Sequence, residues 1–131
     1  FDMQYPIPLA SRCAYTYYGC CEPLDTRIKF LREMPNLRKL SITPWANPDV
    51  CADQIGSDYI MSGKLNPAFV AVDTLDLDVI RGELRRMIDA AKRNNTPLEL
   101  ILKDISSVKY HPEHLDLWAK TAMEMVLGED W

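Results

Sequence analysis

Four short runs of strand composition, each followed by a stretch that suits a helix, set the strongest limit on how this chain can fold. Tyr15 to Gly19 (Tyr-Thr-Tyr-Tyr-Gly) has the aromatic and β-branched content of a short strand, stopped by glycine. Pro23 fits the first position of the helix expected next, and Asp25 suits its positive N-terminal end. Leu24, Ile28, Leu31 and Met34 then recur at three- and four-residue spacing. After Pro35-Asn36, Leu37 to Ile42 reads as a second strand and Thr43-Pro44-Trp45-Ala46 as its loop. Asn47-Pro48 is an N-cap with proline at the first helical position, and Gly56 is the natural stop of that short helix.

The third strand is expected over Asp58 to Met61, with Ser62-Gly63-Lys64-Leu65-Asn66-Pro67 as the loop that leaves it. Asp76 to Lys92 is the clearest helix, because Ile80, Leu84, Met87, Ile88 and Ala91 form one stripe and the charges fall elsewhere. Asn94-Asn95-Thr96-Pro97 breaks it. Leu98 to Leu102 is the fourth strand, running into Lys103-Asp104-Ile105-Ser106-Ser107. A last helix is expected from near His111-Pro112, burying Leu115, Trp118, Ala119, Ala122 and Met125 or Val126, and Pro6 to Ala14 reads as the end of a preceding helix. Strands that alternate with helices pair in parallel through right-handed crossovers. The expected class is therefore α/β, with doubly wound sheets and barrels as the main choices.

At 131 residues and 47% hydrophobic content, the chain can build one ordinary core and not two. No apolar run approaches the roughly 20 residues that cross a bilayer, and no basic-then-apolar leader opens the chain, so no membrane is expected. A net charge of −4 with scattered Lys and Arg leaves no footprint for nucleic acid. The four cysteines (Cys13, Cys20, Cys21, Cys51) sit in a composition that does not need a disulfide frame, which favours a reduced, cytoplasmic setting. A Cys20–Cys21 bridge would need a strained ring, so two free thiols are expected at one place. The opening run Phe1-Asp2-Met3-Gln4-Tyr5-Pro6 reads like the interior of a protein, and the expectation is a piece of a longer chain.

In both architectures ligands sit where strands end and the following helices begin. Four loops leave that face: Gly19-Cys20-Cys21-Glu22, Thr43-Pro44-Trp45, Ser62-Gly63-Lys64-Leu65-Asn66 and Lys103-Asp104-Ile105-Ser106. They hold thiols, carboxylates, two lysines and a tryptophan, while the loops after the helices carry no comparable set. Cys20 and Cys21 at a helix start would have their thiolates stabilised by unpaired N–H groups, which suits a metal ligand or a nucleophile. The alternative is that one simply packs in the core. Glu22 is a further donor or a catalytic carboxylate. Asp104, ending an apolar strand, is either a general acid–base group or a partner for Lys103. Lys64 and Asn66 suit an anionic or polar substrate group, or are solvated loop residues. Trp45 stacks on a planar ligand or only covers the mouth. His111 is read as a helix cap, His114 as a surface residue, both off this face, and Cys13 and Cys51 as packed on helices.

The order Gly-Cys-Cys-Glu-Pro-Leu, Ile-Thr-Pro-Trp-Ala, Ser-Gly-Lys-Leu-Asn-Pro and Ile-Leu-Lys-Asp-Ile resembles the C-terminal half of the uroporphyrinogen decarboxylase-like superfamily, which includes corrinoid-dependent methyltransferases. The resemblance covers essentially the whole chain. It implies the last four strand–helix units of a (β/α)8 TIM-type barrel, residues 1–131 forming a single α/β unit whose N-terminal half lies elsewhere. In the methyltransferase branch it implies zinc held by a His-x-Cys motif and a later Cys, activating a thiol for methyl transfer. Here Gly19-Cys20-Cys21 matches only the first cysteine, with Gly19 or Tyr18 where the His would stand, and Lys103-Asp104 takes the place of the later Cys. The leading expectation is a methyltransferase working with a corrinoid protein or thiol acceptor, its zinc site modified to use Cys20 or Cys21 with Glu22 and Asp104. The decarboxylase branch needs no metal, and there Asp104 and Lys64 would handle a carboxylated small molecule. The third expectation is a non-catalytic binding or assembly module, since half a barrel has open edges through which it should self-associate.

Overall fold

The computed structural model describes residues 2–19 and 21–129 of the chain. Four strands, β1 (Thr16–Tyr18), β2 (Leu37–Ile42), β3 (Ile60–Leu65) and β4 (Leu98–Leu102), form one all-parallel sheet in the spatial order β1-β2-β3-β4. The helices are α1 (Pro6–Ala10), α2 (Ile28–Leu31), α3 (Pro48–Ile55), α4 (Leu77–Arg93) and α5 (Glu113–Leu127). From α2 to α5, each helix packs on the next in chain order. Right-handed crossovers between strands laid down in sequence place every connecting helix on the same side of the sheet. The expected α/β alternation is present, and the strand order never reverses among the described residues.

The sheet is therefore two-faced, and period-2 alternation decides which side chains go where. Tyr18, Leu40, Ile42, Met61, Leu65, Leu98, Leu100 and Leu102 belong to two apolar clusters shared with the helices. The other parity carries Tyr17, Lys39, Ser41, Ser62, Lys64 and Glu99, with Leu37, Ile60 and Ile101 among them. Tyr17 Oη donates to Ser62 Oγ at 3.1 Å across the intervening β2. Lys39 Nζ reaches over β3 to Glu99 Oε2 at 2.6 Å and stands 5.3 Å from the centre of the Tyr17 ring. Ser41 and Ser62 are buried within this face.

Several local readings hold to the residue. Asn47 accepts the backbone N–H groups of Asp49 and Val50 at 3.0 and 3.4 Å, with Pro48 following, and Gly56 ends α3 at φ +55°. Asp76 caps α4 in the same way, through Asp78 and Val79. The stripe Ile80, Leu84, Met87, Ile88, Ala91 is buried as expected. No helix is long and apolar enough to cross a membrane among the described residues.

Three elements differ from expectation. Ser62-Gly63-Lys64-Leu65 forms the last four residues of β3, not a loop, because Ser62 and Lys64 share the polar face while Gly63 and Leu65 face the helices. A Cβ at Gly63 would lie 3.2 Å from Met87 Sδ, so the glycine marks the close approach of α4 and not a turn. α2 is a single turn with Pro23 outside it, yet Leu24, Ile28, Leu31 and Met34 are all buried. Asp25 serves α3 instead of α2: its Oδ2 accepts the Asn47 N–H at 2.7 Å, and its carbonyl accepts the Gln54 side-chain amide. In α5 the inward line is His114, Trp118, Thr121, Ala122 and Met125, whereas Leu115 and Ala119 are exposed. Trp118, Ala122 and Met125 turn inward as expected, while His114 and Thr121 take the places expected of Leu115 and Ala119.

Candidate functional site

Lys64 is the next-to-last residue of β3 and stands on the polar side of the sheet, only 2% exposed. It lines a cavity of about 250 Å³ at the carboxyl ends of the strands. Cys21 from the β1 loop, Thr43, Pro44 and Trp45 after β2, Asn66 to Ala68 after β3, and Lys103 and Asp104 after β4 complete the lining. The cavity is below the roughly 300 Å³ at which whole ligand sites begin, so it suits a small molecule or one end of a larger one.

Local chemistry positions each group. The buried Thr43 hydroxyl accepts the Trp45 N–H at 3.2 Å, a tight turn that leaves the indole 67% exposed at the mouth. Asn66 Oδ1 accepts the Ala68 N–H at 3.0 Å and caps the short 3-10 turn Pro67–Phe69. Asp104 adopts φ +61°, a left-handed conformation that Asp and Asn tolerate better than other side-chain-bearing residues. Its carboxylate lies 3.8 Å from Lys103 Nζ. The two cations, the carboxylate and the indole thus converge as expected, and Cys21 adds an exposed thiol.

One predicted member stands apart. Glu22 lies outside the cavity lining and pairs with Arg27 at 2.7 Å, both side chains more than half exposed, an ion pair worth about 1 kcal/mol or less. Cys20 lies outside the described residues. Among those described, the cavity offers one thiol, one carboxylate and no imidazole. These two described donors are fewer than the three or four protein ligands that zinc takes. Thr43 and Lys103 were in the expected loops, but residue type alone gave neither a role.

The remaining cysteines and histidines correct the expectation in part. Cys51 is fully buried in α3, and that burial, with the Asp25 carboxylate second, pushes its thiol up to about 12. Cys13 is exposed, its Sγ donating to Leu9 O at 3.7 Å, so it is not a packing residue. His114 is 5% exposed rather than on the surface, with Nδ1 3.1 Å from Val70 O. His111 does not cap α5: the N-cap is Pro112, and His111 Nδ1 lies 2.8 Å from Glu113 Oε1. Both histidines sit in or next to the loop leaving β4, on the strand-end side, though outside the cavity lining. His111, Glu113 and His114 are a group able to hold a metal ion, each offering a ligand atom within 4.8 Å of the others.

No protein-family model, curated protein or solved structure matches the chain.

Proposed function

We propose that the chain is one half of a (β/α)8 barrel related to the uroporphyrinogen decarboxylase-like superfamily, and that its strand-end cavity holds a small carboxylated substrate for a decarboxylase or other lyase reaction. The observation that carries this reading is Lys64, a lysine withdrawn from solvent at the carboxyl end of a parallel strand and lining a cavity. A cation held in such a place gives a charge-assisted bond to a carboxylate that water screens poorly. Trp45 covers a planar substrate face. Asp104, with Lys103 beside it, handles the proton. In a decarboxylation the bond to the departing carboxylate breaks, its electron pair enters the substrate's own π system, and the proton that restores the carbon comes through Asp104. The barrel part is supported by the unreversed strand order, since a doubly wound sheet turns back at a switch point.

Binding of an aromatic dicarboxylate, followed by calorimetry, tests the site. Affinity should fall about 10- to 100-fold in Lys64→Met, and equal affinities would overturn the assignment. Asp104→Asn keeps a residue that accepts the left-handed backbone, so it should abolish carbon dioxide release while leaving the melting temperature in place. The barrel reading also makes β1 and β4 open edges that must be covered. Light scattering on the chain should give a dimer or larger, and a well-behaved monomer would sink the half-barrel.

A second reading, methyl transfer with a corrinoid protein or thiol acceptor, is favoured by Cys21 on the same cavity. Replacing Cys20 and Cys21 with serine separates the two: loss of turnover supports transfer, and full turnover supports the lyase.

A further inference from the structure

We infer that His111, Glu113 and His114 bind a divalent transition-metal ion of the zinc(II) class, at a site outside the strand-end cavity. The inference does not rest on the lyase reading, because none of the three residues lines that cavity. Their ligand-capable atoms all lie within 4.8 Å of one another.

The hydrogen bonds determine which ring nitrogens are free. Val70 O can only accept, so His114 Nδ1, 3.1 Å away, carries the proton and its Nε2 keeps a lone pair. His111 Nδ1 and Glu113 Oε1 already face one another at 2.8 Å, so the ion would take the place of the proton between them. Metal-binding histidines are oriented as His114 is, with the outer N–H given to a carbonyl. The two rings stack with centroids 4.9 Å apart and planes 17° from parallel, which holds the imidazoles side by side.

The polarity of the site suits the same ion. His114 is buried and fixed by the loop between β3 and α4, while His111 and Glu113 are more open. Bond lengths of about 2.0–2.2 Å then require that the two open side chains draw in toward the fixed one. Two imidazoles and one carboxylate favour zinc, cobalt or nickel over calcium or magnesium, which seek oxygen. Three protein ligands leave a position for water or a further ligand. Once bound, the ion would tie the start of α5 to the β3–α4 loop through His114 and Val70.

Calorimetry with zinc chloride on the full chain, with Cys13, Cys20 and Cys21 changed to serine to remove competing thiols, tests the site. One equivalent should bind, and cobalt(II) should give the visible bands of a four-coordinate N/O site. His111→Gln should weaken zinc by at least about tenfold, and His111→Gln with Glu113→Gln should abolish the cobalt spectrum. Neither variant touches the buried His114–Val70 bond, so both should fold. No zinc binding in the parent, or an affinity unchanged in the double variant, overturns the proposal.

Discussion

Truncating Leu84 to alanine is expected to cost about 3 kcal/mol and to lower the melting temperature by about 10 °C. Leu84 is fully buried on α4, in the cluster with Leu65, Val70, Ile80 and Ala122 that Leu100, Leu102, Trp118 and Met125 enclose. Both walls of that cluster are fixed, one by β3 and β4 and the other by α5, so the space left by the isobutyl group cannot close. Alanine is the best helix former, hence α4 itself loses nothing and the whole effect reports packing. Val79 on the same helix is 42% exposed, and Val79→Ala should stay within about 0.5 kcal/mol. Urea unfolding with an unchanged slope is the measurement. A cost below about 1 kcal/mol for Leu84→Ala would mean that α5 does not pack where the structure puts it. The consequence reaches the site, because Leu65 and Leu102 of this cluster lie next to Asn66 and Lys103 in the cavity wall.

Where one residue type has one local physical role, the fold was legible in the sequence. Asn47 before Pro48, Gly56 at positive φ, and the 3.6-period stripe of α4 each depend on contacts within a few residues. β3 was misread because Ser62, Gly63 and Lys64 look like a polar loop. Their strand state depends on a polar sheet face and on Met87 of a distant helix, neither of which is local. The start of α5 was misread for a similar reason: hydrophobicity favours Leu115, but the Val70 carbonyl, 44 positions away in sequence, draws His114 inward. The cavity followed from topology once strands were placed, so Cys21, Trp45, Lys64, Asn66 and Asp104 converge even though the β3 boundary was wrong. Glu22 did not, since Arg27 five residues on is a closer partner than anything across the loop.

Raising the pH should expose a second large effect, centred on Cys51. Its thiol ordinarily ionises near 9.0 and is pushed up to about 12, first by burial and then by the Asp25 carboxylate. The folded chain therefore keeps a proton that the unfolded chain releases. That contribution is intact below pH 9 and is lost as the pH climbs to about 12, at about 1.4 kcal/mol per pH unit, or about 4 kcal/mol in all. Lysines and tyrosines also titrate in this range, so the quantity to measure is the difference between the parent and Cys51→Ala. The alanine variant should start about 1 kcal/mol less stable at pH 8, from the lost sulfur packing, and should become the more stable protein well before pH 12. Alkylation reads the same barrier kinetically: the exposed Cys13 and Cys21 should react readily in the native state, while Cys51 should wait for opening of α3. Parallel pH curves for parent and variant, or alkylation of Cys51 as fast as that of Cys21, would show that the seam between Asp25 and α3 is wet, and the α2–α3 packing behind the β1 and β2 loops would have to be redrawn.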